Sequence, residues 1–431
     1  MTRERGVHAA STPPVIELAA RAIDPRLDLR ALLDAAEAAP PAAGVDALAS
    51  ELAHRVGARE VSFLIADIHG RGLVRLARTS QRGRSVRSSP ELDRVALQGS
   101  AAGTAMREQR VTLVVDPDGV RVYAPVSERG ESLGVLELLL PESPDSSTVD
   151  YLASAAHALA YVVIADRRHS DMYELAQRSA HLSLEAEIQR RLLPPSYTCE
   201  GPHFALAGWL VAAEDAGGDT FDYVVGEQSL TVTLTDAMGH GVGAAQLATL
   251  AVGSLRNSRR RGYALAEQAA RASRALGEHA RDDQFVTALL LNVHLASGAA
   301  TFVNAGHTNP LLVRGGLVSE VPLTSDLVLG VAPALTYDAQ SMQLQRGDRL
   351  ALITDGMVER DAERADIAGL LATLGDVHPR EAAQILTHAV LDVTEGAVRD
   401  DATVVILDWY GPSPVPEQAP SGLRSLPGEP S

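Results

Sequence analysis

The sequence predicts an α+β protein with two folded units, and three observations point to this class. Apolar residues recur at helical spacing over residues 29–38 and 45–56, ahead of a series of short apolar runs typical of strands. The second half mixes further strand-like runs with a few helical stretches, as in an α+β sandwich. A chain of 431 residues is also too long for one ordinary core, so two or three units are expected.

The first unit is predicted over residues 29–165, after a lead (1–28) that has little pattern and is expected to be flexible. Its strands are expected at 60–66, 73–77, 111–115, 120–126 and 133–139. An N-cap signal near Ser147 then precedes a predicted helix over 152–164. Helices that flank a set of antiparallel strands form an α+β domain of ordinary size.

Residues 166–193 are predicted to form a helical linker, because this stretch is charged and contains neither Gly nor Pro. Its apolar stripe does not follow a clean heptad. Two interpretations stay open: a helix that lies on its own domain, or a helix shared between two chains in a homodimer. Pro194 and Pro195 end the helix sharply.

The second unit is predicted over residues 194–410, followed by a tail (411–431) rich in Pro, Ser, Gly and Glu that is expected to be disordered. Strands are expected at 204–212, 221–225, 230–234, 286–293, 300–303, 311–313, 342–344, 349–353 and 403–407. Helices are expected at 243–258, 264–280, 367–374 and 380–393.

The acidic balance of the chain excludes two classes of partner. Its net charge of −17 argues against binding to nucleic acid or to an anionic membrane, because either needs a basic face. The densest basic run, the three arginines at 259–261, is expected to be a solvated helix end.

Cysteine usage and hydropathy predict a soluble, cytoplasmic protein. The one cysteine, Cys199, excludes an internal disulfide and fits a reducing cytosol. No apolar segment is expected to approach the roughly 18–20 residues of a membrane span. Residues 1–14 lack the hydrophobic stretch of a signal peptide.

Carboxylates recur at the ends of predicted strands in the second unit. Asp236 follows the apolar run 230–234, Asp355 follows 350–353, Asp400 and Asp401 precede 403–407, and Asp219 follows two glycines. A single Asp-Gly pair is more often a turn, but four such sites suggest a metal centre. Oxygen ligands favour Mg²⁺ or Mn²⁺ over zinc, and two such ions would activate water for phosphoryl transfer.

An ordered set of motifs resembles the metal-dependent Ser/Thr protein phosphatases of the PPM class, in their SpoIIE-like branch. The resemblance covers residues 187–408 and rests on the segments 187–194, 213–222, 236–241, 285–287, 304–307, 347–348, 354–356 and 400–403. It implies an α-β-β-α sandwich and two bound Mn²⁺ or Mg²⁺ ions. The family often has Lys where this chain has His240, and Val-Ser where it has Ala237 and Met238.

The resemblance also implies roles for individual residues. Asp219 and Asp236 would bridge or flank the two metals, and Ala237 would offer its carbonyl. Asp355 and Asp400 would complete the catalytic carboxylates, with Asp401 as a metal-site neighbour of lesser weight. The attacking group would be a metal-bound hydroxide, so no protein nucleophile is needed.

His307 and Cys199 need separate consideration. His307 could serve as a general acid, but a structural role in its Asn-Ala-Gly-His turn is the preferred interpretation. Cys199 has neither a base partner nor a phosphate-binding loop in its surroundings, so it is not a candidate nucleophile. The sequence identifies no arginine that would clamp the phosphate.

The first unit, residues 29–165, resembles a GAF sensor domain in its helices, its strand pattern and the turn-to-helix segment 99–105. It contains no cysteine, which excludes a thioether-linked bilin; a cyclic nucleotide, another small molecule, a protein stimulus or no ligand at all stay open. Chains of this combination resemble regulators that act on phosphorylated anti-sigma-factor antagonists. The expected regulation is that a stimulus at the first unit shifts the 166–193 helix and so the order of the metal site.

Three rival interpretations are weaker. Gly217-Gly218-Asp219 resembles the active turn of a diguanylate cyclase, but Thr220 replaces its Glu. The segment 239–244 fits a loose dinucleotide fingerprint, but the acidic residue expected about 20 positions later is missing. The strongest rival is a non-catalytic module with the phosphatase fold that sequesters a regulatory partner.

Overall fold

The computed structural model describes residues 29–67, 70, 72–80, 94–177, 183–213, 217–279, 284–332, 334–358, 360–395 and 398–412. The predicted lead (1–28) and all but residues 411 and 412 of the predicted tail lie outside these ranges. The chain divides into two compact units that meet in sequence at residues 180 and 181.

The first unit is built on one six-stranded antiparallel sheet with the order β3-β2-β1-β6-β5-β4. The strands are β1 (Glu60–Ala66), β2 (Gly72–Ser80), β3 (Arg94–Ala96), β4 (Thr112–Asp116), β5 (Gly119–Glu128) and β6 (Glu131–Leu140). The helices are α1 (Leu29–Ala38), α2 (Gly44–Val56), α3 (Ala101–Glu108), α4 (Ser146–Asp166) and α5 (Met172–Gln177). The structure therefore agrees with the predicted mixture of helices and antiparallel strands, and adds the short strand β3.

The two faces of this sheet bury different sets of residues because side chains alternate along each strand. Phe63 and Ile65 of β1 lie in the larger core with α1, α2 and α4. Leu64 of the same strand lies in a smaller core with Ala102 and Met106 of α3. The sheet is therefore covered by helices on both sides.

Helix α4 is long and apolar enough to cross a membrane, judged by length and composition alone. The prediction that no apolar segment approaches that length was therefore wrong. The apolar residues of α4 have a packing role, since Leu152, Leu159 and Val163 are fully buried in the larger core of the first unit. Such a core helix is weak evidence for a membrane span.

The predicted continuous linker helix over 166–193 was also wrong. Helix α4 ends at Asp166, residues 167–170 are not helical, and a new helix, α6 (Leu184–Leu192), begins after α5. Serine side chains explain the new starts, since Ser170 accepts a hydrogen bond from the Met172 amide and Ser183 caps α6. Helix α5 belongs to the first unit, where the Gln177 side chain donates to the carbonyl of Ala66 at 3.0 Å.

The second unit contains two sheets. A five-stranded sheet has the order β15-β12-β11-β10-β9, and a six-stranded sheet has the order β14-β13-β16-β17-β8-β7. The strands are β7 (Thr198–Gly201), β8 (Phe204–Val211), β9 (Thr220–Val225), β10 (Ser229–Ala237), β11 (Val286–His294), β12 (Ala299–Ala305), β13 (Leu311–Arg314), β14 (Leu317–Glu320), β15 (Gln340–Gln343), β16 (Arg349–Ile353) and β17 (Ala402–Trp409). The further helices are α7 (Gly241–Arg260), α8 (Leu265–His279), α9 (Ile367–Thr373) and α10 (Pro379–Val393).

The layers of the second unit follow from alternating burial on its strands. Leu289 and Leu291 of β11 lie in the core between the two sheets, while Leu290 packs with α7 and α8. On the other sheet, Val405 of β17 faces the same inner core, while Val404 packs with α9 and α10. The fold is the predicted α-β-β-α sandwich.

One basic residue departs from the expected solvated helix end at 259–261. Arg259 forms an ion pair with Asp222 of β9 at 2.8 Å, and Arg256 pairs with the same carboxylate at 2.9 Å. Asp222 is only 5% exposed, so two arginines compensate one buried charge. Arg260 and Arg261 are exposed, as predicted.

Candidate metal centre

The centre begins where β9 and β10 lie side by side. Asp219 directly precedes β9, and Asp236 is the last residue but one of β10. The pairing of Thr220 with Thr235 brings these two aspartates to the same end of the sheet. The turn before Asp219 is tight, since a side chain on Gly218 would overlap Ala237. Glycine is therefore required at this point for β10 to approach.

Asp219 is buried and is held from the other sheet. Its Oδ2 accepts hydrogen bonds from the hydroxyl of Thr354 at 2.7 Å and from that of Thr403 at 2.6 Å. Thr354 follows β16 and Thr403 belongs to β17. The ends of four strands from two sheets therefore meet at one carboxylate.

Burial and two neighbouring carboxylates raise the pKa of Asp219 well above its usual value. After burial, the causes are the charges of Asp236 and Asp401, while the two threonine hydroxyls oppose the shift. We call Asp219, Asp236 and Asp401 the acid cluster. Mutual repulsion among oxygen ligands in a buried place is the environment that a divalent cation relieves.

Asp401 is buried in the second unit, with a relative exposure of 1%. Its Oδ1 accepts hydrogen bonds from the amides of Ala213 at 2.8 Å and Gly217 at 3.1 Å. Its Oδ2 accepts from the Asp219 amide at 3.4 Å and from the side-chain amide of Gln189. Burial raises its pKa and these donors lower it in part. The carboxylate thus fixes the backbone that carries Asp219.

The two remaining predicted carboxylates lie at the rim of the acid cluster. Asp355 is half-buried and opens the short 3₁₀ turn Asp355–Met357 next to Thr354. Asp400 is exposed, and its Oδ1 accepts a hydrogen bond from the amide of Asp401 at 3.0 Å. The backbone of Gly356 lies against the Asp401 carbonyl, where a side chain would overlap it. Both predicted residues are therefore connected to the cluster through their chain neighbours.

Within the residues that the structure describes, no group of three or more His, Cys, Asp or Glu side chains forms a ready-made metal site. The oxygen chemistry of Asp219 and Asp236 fits a divalent ion, whereas the Asp401 carboxylate is already engaged by four hydrogen-bond donors. The metal-ligand roles of Asp219, Asp236, Ala237, Asp355, Asp400 and Asp401 remain predictions.

His307 is buried beside the centre, on the loop after β12. Its Nδ1 and the Thr287 hydroxyl share a hydrogen bond of 2.7 Å, and Thr287 pairs with Asp236 across β11 and β10. The Asn304 side chain accepts from the His307 amide at 2.8 Å and donates to the His307 carbonyl at 2.9 Å. Burial lowers the pKa of His307 to about 4. A neutral imidazole held in this way supports the structural interpretation.

Three residues of the site were quoted in sequence motifs without being given a role. Thr354 and Thr403 directly neighbour predicted strand ends, and a hydroxyl beside such a carboxylate was the signal that could have identified them. Gln189 lies far away in sequence, on a helix expected to bury apolar residues. Only the tertiary structure brings its amide to Asp401.

Comparisons with known proteins concern mainly the second unit. Residues 226–410 match the family model for stage II sporulation protein E (SpoIIE). Phosphoserine phosphatase RsbU of Bacillus subtilis is 21% identical over 289 residues, which is 63% of this chain and 83% of RsbU. Stage II sporulation protein E of the same organism is 25% identical over 210 residues, which is 48% of this chain and only 25% of that protein.

Two solved structures are also similar. The RsbU and RsbW domains of Rv1364c from Mycobacterium tuberculosis share 27% identity with a TM-score of 0.44, covering 50% of this chain and 62% of that one. The PP2C phosphatase domain of SpoIIE from Bacillus subtilis, with a fragment of its regulatory domain, shares 22% identity with a TM-score of 0.42. That match covers 47% of this chain and 63% of the other.

Proposed function

We propose that the second unit is a metal-dependent protein serine/threonine phosphatase of the PPM class that hydrolyses phosphoserine or phosphothreonine. Its residues 226–410 match the SpoIIE family model. The observation that carries this proposal is the convergence of two further carboxylates, those of Asp236 and Asp401, on the buried Asp219. An arrangement of oxygen donors at strand ends suits the hard cations that phosphoryl hydrolases use. The similarity to RsbU, a phosphoserine phosphatase, supports the same reaction.

Two Mn²⁺ or Mg²⁺ ions, when bound, would supply an activated water and would neutralise charge on the phosphoryl oxygens. Asp219 and Asp236 would hold them, with Asp355, Asp400 and the Ala237 carbonyl as further ligands. Thr354 and Thr403 orient the Asp219 carboxylate, and Asp401 fixes the backbone next to it. Each of these residues binds or positions, so the chain needs no nucleophile of its own.

The test is hydrolysis of a phosphoserine peptide and of a generic aryl phosphate by the full chain in Mn²⁺, Mg²⁺ or EDTA. Asp236→Asn removes one cluster charge, and Asp376→Asn, at an exposed turn before α10, is the matched control. We expect activity that requires metal, disappears in Asp236→Asn and persists in Asp376→Asn. Activity that survives in EDTA, or in Asp236→Asn, would contradict the proposal.

The proposed substrate is a phosphorylated regulatory protein, specifically an anti-sigma-factor antagonist. Support comes from the similarity to phosphoserine phosphatase RsbU. The net charge of −17 remains the reason to expect neither nucleic acid nor an anionic membrane as partner, and we place the protein in the cytoplasm. Release of phosphate from such a phosphoprotein, followed by mass spectrometry of the dephosphorylated serine, tests this assignment.

A second candidate is the non-catalytic module that sequesters a partner. The absence of a ready-made metal site among the described residues is the observation that favours it. The Asp236→Asn chain separates the two functions. Release of the regulatory partner that persists in this variant would favour sequestration, while release that stops with hydrolysis would favour catalysis.

Regulation by a GAF-like first unit is part of the same proposal. The helical break at 167–170 removes the basis for a single rigid helix that carries the signal, while a homodimer through this segment stays a prediction. A stimulus would instead act through α5, which is bonded to β1. Hydrolysis by the full chain with and without cyclic nucleotides tests this idea; a nucleotide that binds the chain and leaves the rate unchanged counts against it.

A further inference from the structure

Helix α6 buries one of its residues almost completely, and that residue is polar. Gln189 is 2% exposed, while its neighbours on the helix are more accessible. A buried amide without partners would destabilise the fold, so the hydrogen bonds of Gln189 decide whether this position is tolerated.

The side chain of Gln189 reaches directly into the acid cluster. Its Nε2 donates to the carbonyl oxygen of Asp219 at 2.9 Å and to Oδ2 of Asp401. Two donor hydrogens and two acceptors match, which satisfies the amide nitrogen. The other three donors to the Asp401 carboxylate are backbone amides. Among these four donors, Gln189 is the one that uses its side chain.

The end of α6 is fixed separately. Arg256 on α7 donates to the carbonyl of Leu192 at 2.6 Å and pairs with Asp222 on β9. Helix α6 is therefore attached to the unit through Gln189 and through the Leu192 carbonyl, and of these two contacts the one at Gln189 touches the acid cluster. The contribution of α6 packing to stability can therefore be measured separately from the contact between Gln189 and the acid cluster.

We propose that Gln189 is a positioning residue for the metal centre. It holds the backbone of Asp219 and the Asp401 carboxylate in one arrangement, so that the Asp219 side chain is directed to the place where a divalent ion binds. The inference rests on the proposed metal-dependent function of this unit. Partners of this kind, one bond removed from a ligand, typically change metal affinity or activity by about 10- to 100-fold.

The test compares two identical substitutions in the full chain. Gln189→Met keeps the size of the side chain and removes its donors. Gln268→Met is the matched control, because the buried Gln268 on α8 also donates its side-chain amide to a backbone carbonyl, that of Tyr263, outside the acid cluster. Mn²⁺ affinity by calorimetry, thermal unfolding without metal, and kcat and KM on a phosphoserine peptide are measured for each.

We expect Gln189→Met to weaken Mn²⁺ binding by roughly 10- to 100-fold, and excess Mn²⁺ to restore much of its kcat. Gln268→Met should keep the Mn²⁺ affinity of the wild type. A purely structural Gln189 would lower the unfolding temperature and leave Mn²⁺ affinity unchanged, which would overturn the inference. If Gln189→Met does not fold, Gln189→Asn, which is one methylene too short for these contacts, gives the same comparison.

The outcomes separate this inference from the proposed function. If the wild-type chain binds Mn²⁺ but releases no phosphate from the peptide, the proposed phosphatase function is contradicted. The role of Gln189 is then decided by the Mn²⁺ affinities of the wild type and Gln189→Met. An active wild-type chain with equal Mn²⁺ affinity in Gln189→Met contradicts the positioning role alone. A wild-type chain without Mn²⁺ binding overturns both.

Discussion

The hydroxyl of Thr403 on β17 donates a hydrogen bond to the carboxylate of Asp219, next to β9, at 2.6 Å. Thr403 lies in the six-stranded sheet, and Asp219 directly precedes a strand of the five-stranded sheet. Their bond therefore joins the ends of the two sheets at the acid cluster.

We predict that Thr403→Val lowers the metal-dependent rate by about tenfold or more, because Asp219 loses one of its two hydroxyl donors. The lost bond to a charged group should also cost about 1.5–3 kcal/mol of unfolding free energy. Initial rates at saturating Mn²⁺ and urea unfolding measure the two effects. Thr387→Val is the control, since that buried hydroxyl donates to the Ala383 carbonyl within α10. Equal rates in both variants would rule out the orienting role of Thr403.

The lowered pKa of His307 predicts that the protein loses stability in mild acid. Its pKa is about 4 in the folded protein against an ordinary 6.5, so below pH 6.5 the unfolded chain takes up a proton that the folded chain refuses. Stability is therefore retained above pH 6.5 and falls as the pH drops towards 4. Between pH 7 and pH 5 the contribution is about 2 kcal/mol.

Urea unfolding at these two pH values checks this expectation. His307→Gln should flatten the dependence on pH by about the stated amount, while His294→Gln, at an exposed position on β11, should leave it as in the wild type. The same slope in all three proteins would show that His307 does not titrate in this way.

Gly356→Ala should destabilise the second unit. Its added methyl group would overlap the carbonyl of Asp401, which belongs to the backbone beside β17 and cannot move alone. Overpacking of this kind costs about 1–3 kcal/mol. Gly253→Ala in α7 is the control, because no heavy atom lies within 4 Å of its new methyl group and alanine favours a helix by up to about 1 kcal/mol. Thermal unfolding should shift in opposite directions in the two variants.

In the first unit, Glu137 is buried and paired with Arg75 and, at 3.4 Å, with Arg121. We predict that Glu137→Gln destabilises this unit by about 3–5 kcal/mol, because the buried Arg75 loses this counter-charge, whereas Arg121 keeps its ion pair with Asp116 at 2.7 Å. Glu187→Gln, which breaks an exposed pair with Arg191, should cost less than about 1 kcal/mol.

Spectroscopy can assign the effect of Glu137→Gln to one unit. Both tryptophans, Trp209 and Trp409, lie in the second unit, whereas circular dichroism reports on both units. The variant should lower the unfolding midpoint seen by circular dichroism and leave the tryptophan transition in place. A tryptophan transition shifted by the same amount would refute an effect local to the first unit.

The sequence predicted the layers well because alternating burial is a local property. The apolar residues of a strand such as β11 show in the sequence that both of its faces are covered. The carboxylates could likewise be located in the sequence at the ends of predicted strands. The bounds were less certain: β10 continues to Ala237, so Asp236 lies within the strand rather than after it. Cooperative pairing with β11 extends the strand beyond its apolar run.

Contacts between distant segments could not be predicted from local pattern. Asp401 and Gln189 are separated by 212 positions, and their bond depends on how α6 and β17 are placed by the whole unit. The break between α4 and α6 was missed for another reason, because serine caps such as Ser183 can start a helix without any Gly or Pro before them.

The position of β17 has a consequence for how this unit is made. This last strand lies between β16 and β8, and β8 is synthesised almost a whole domain earlier. Asp401 and Thr403 emerge from the ribosome together with it, so a nascent chain that lacks β17 has Thr354 but neither Thr403 nor Asp401 to hold Asp219. Pairing that spans such a length of chain is slow and comes late in folding. The second unit is therefore expected to lack phosphatase activity until β17 has been synthesised. Chains shortened ahead of β17 should be inactive rather than unregulated.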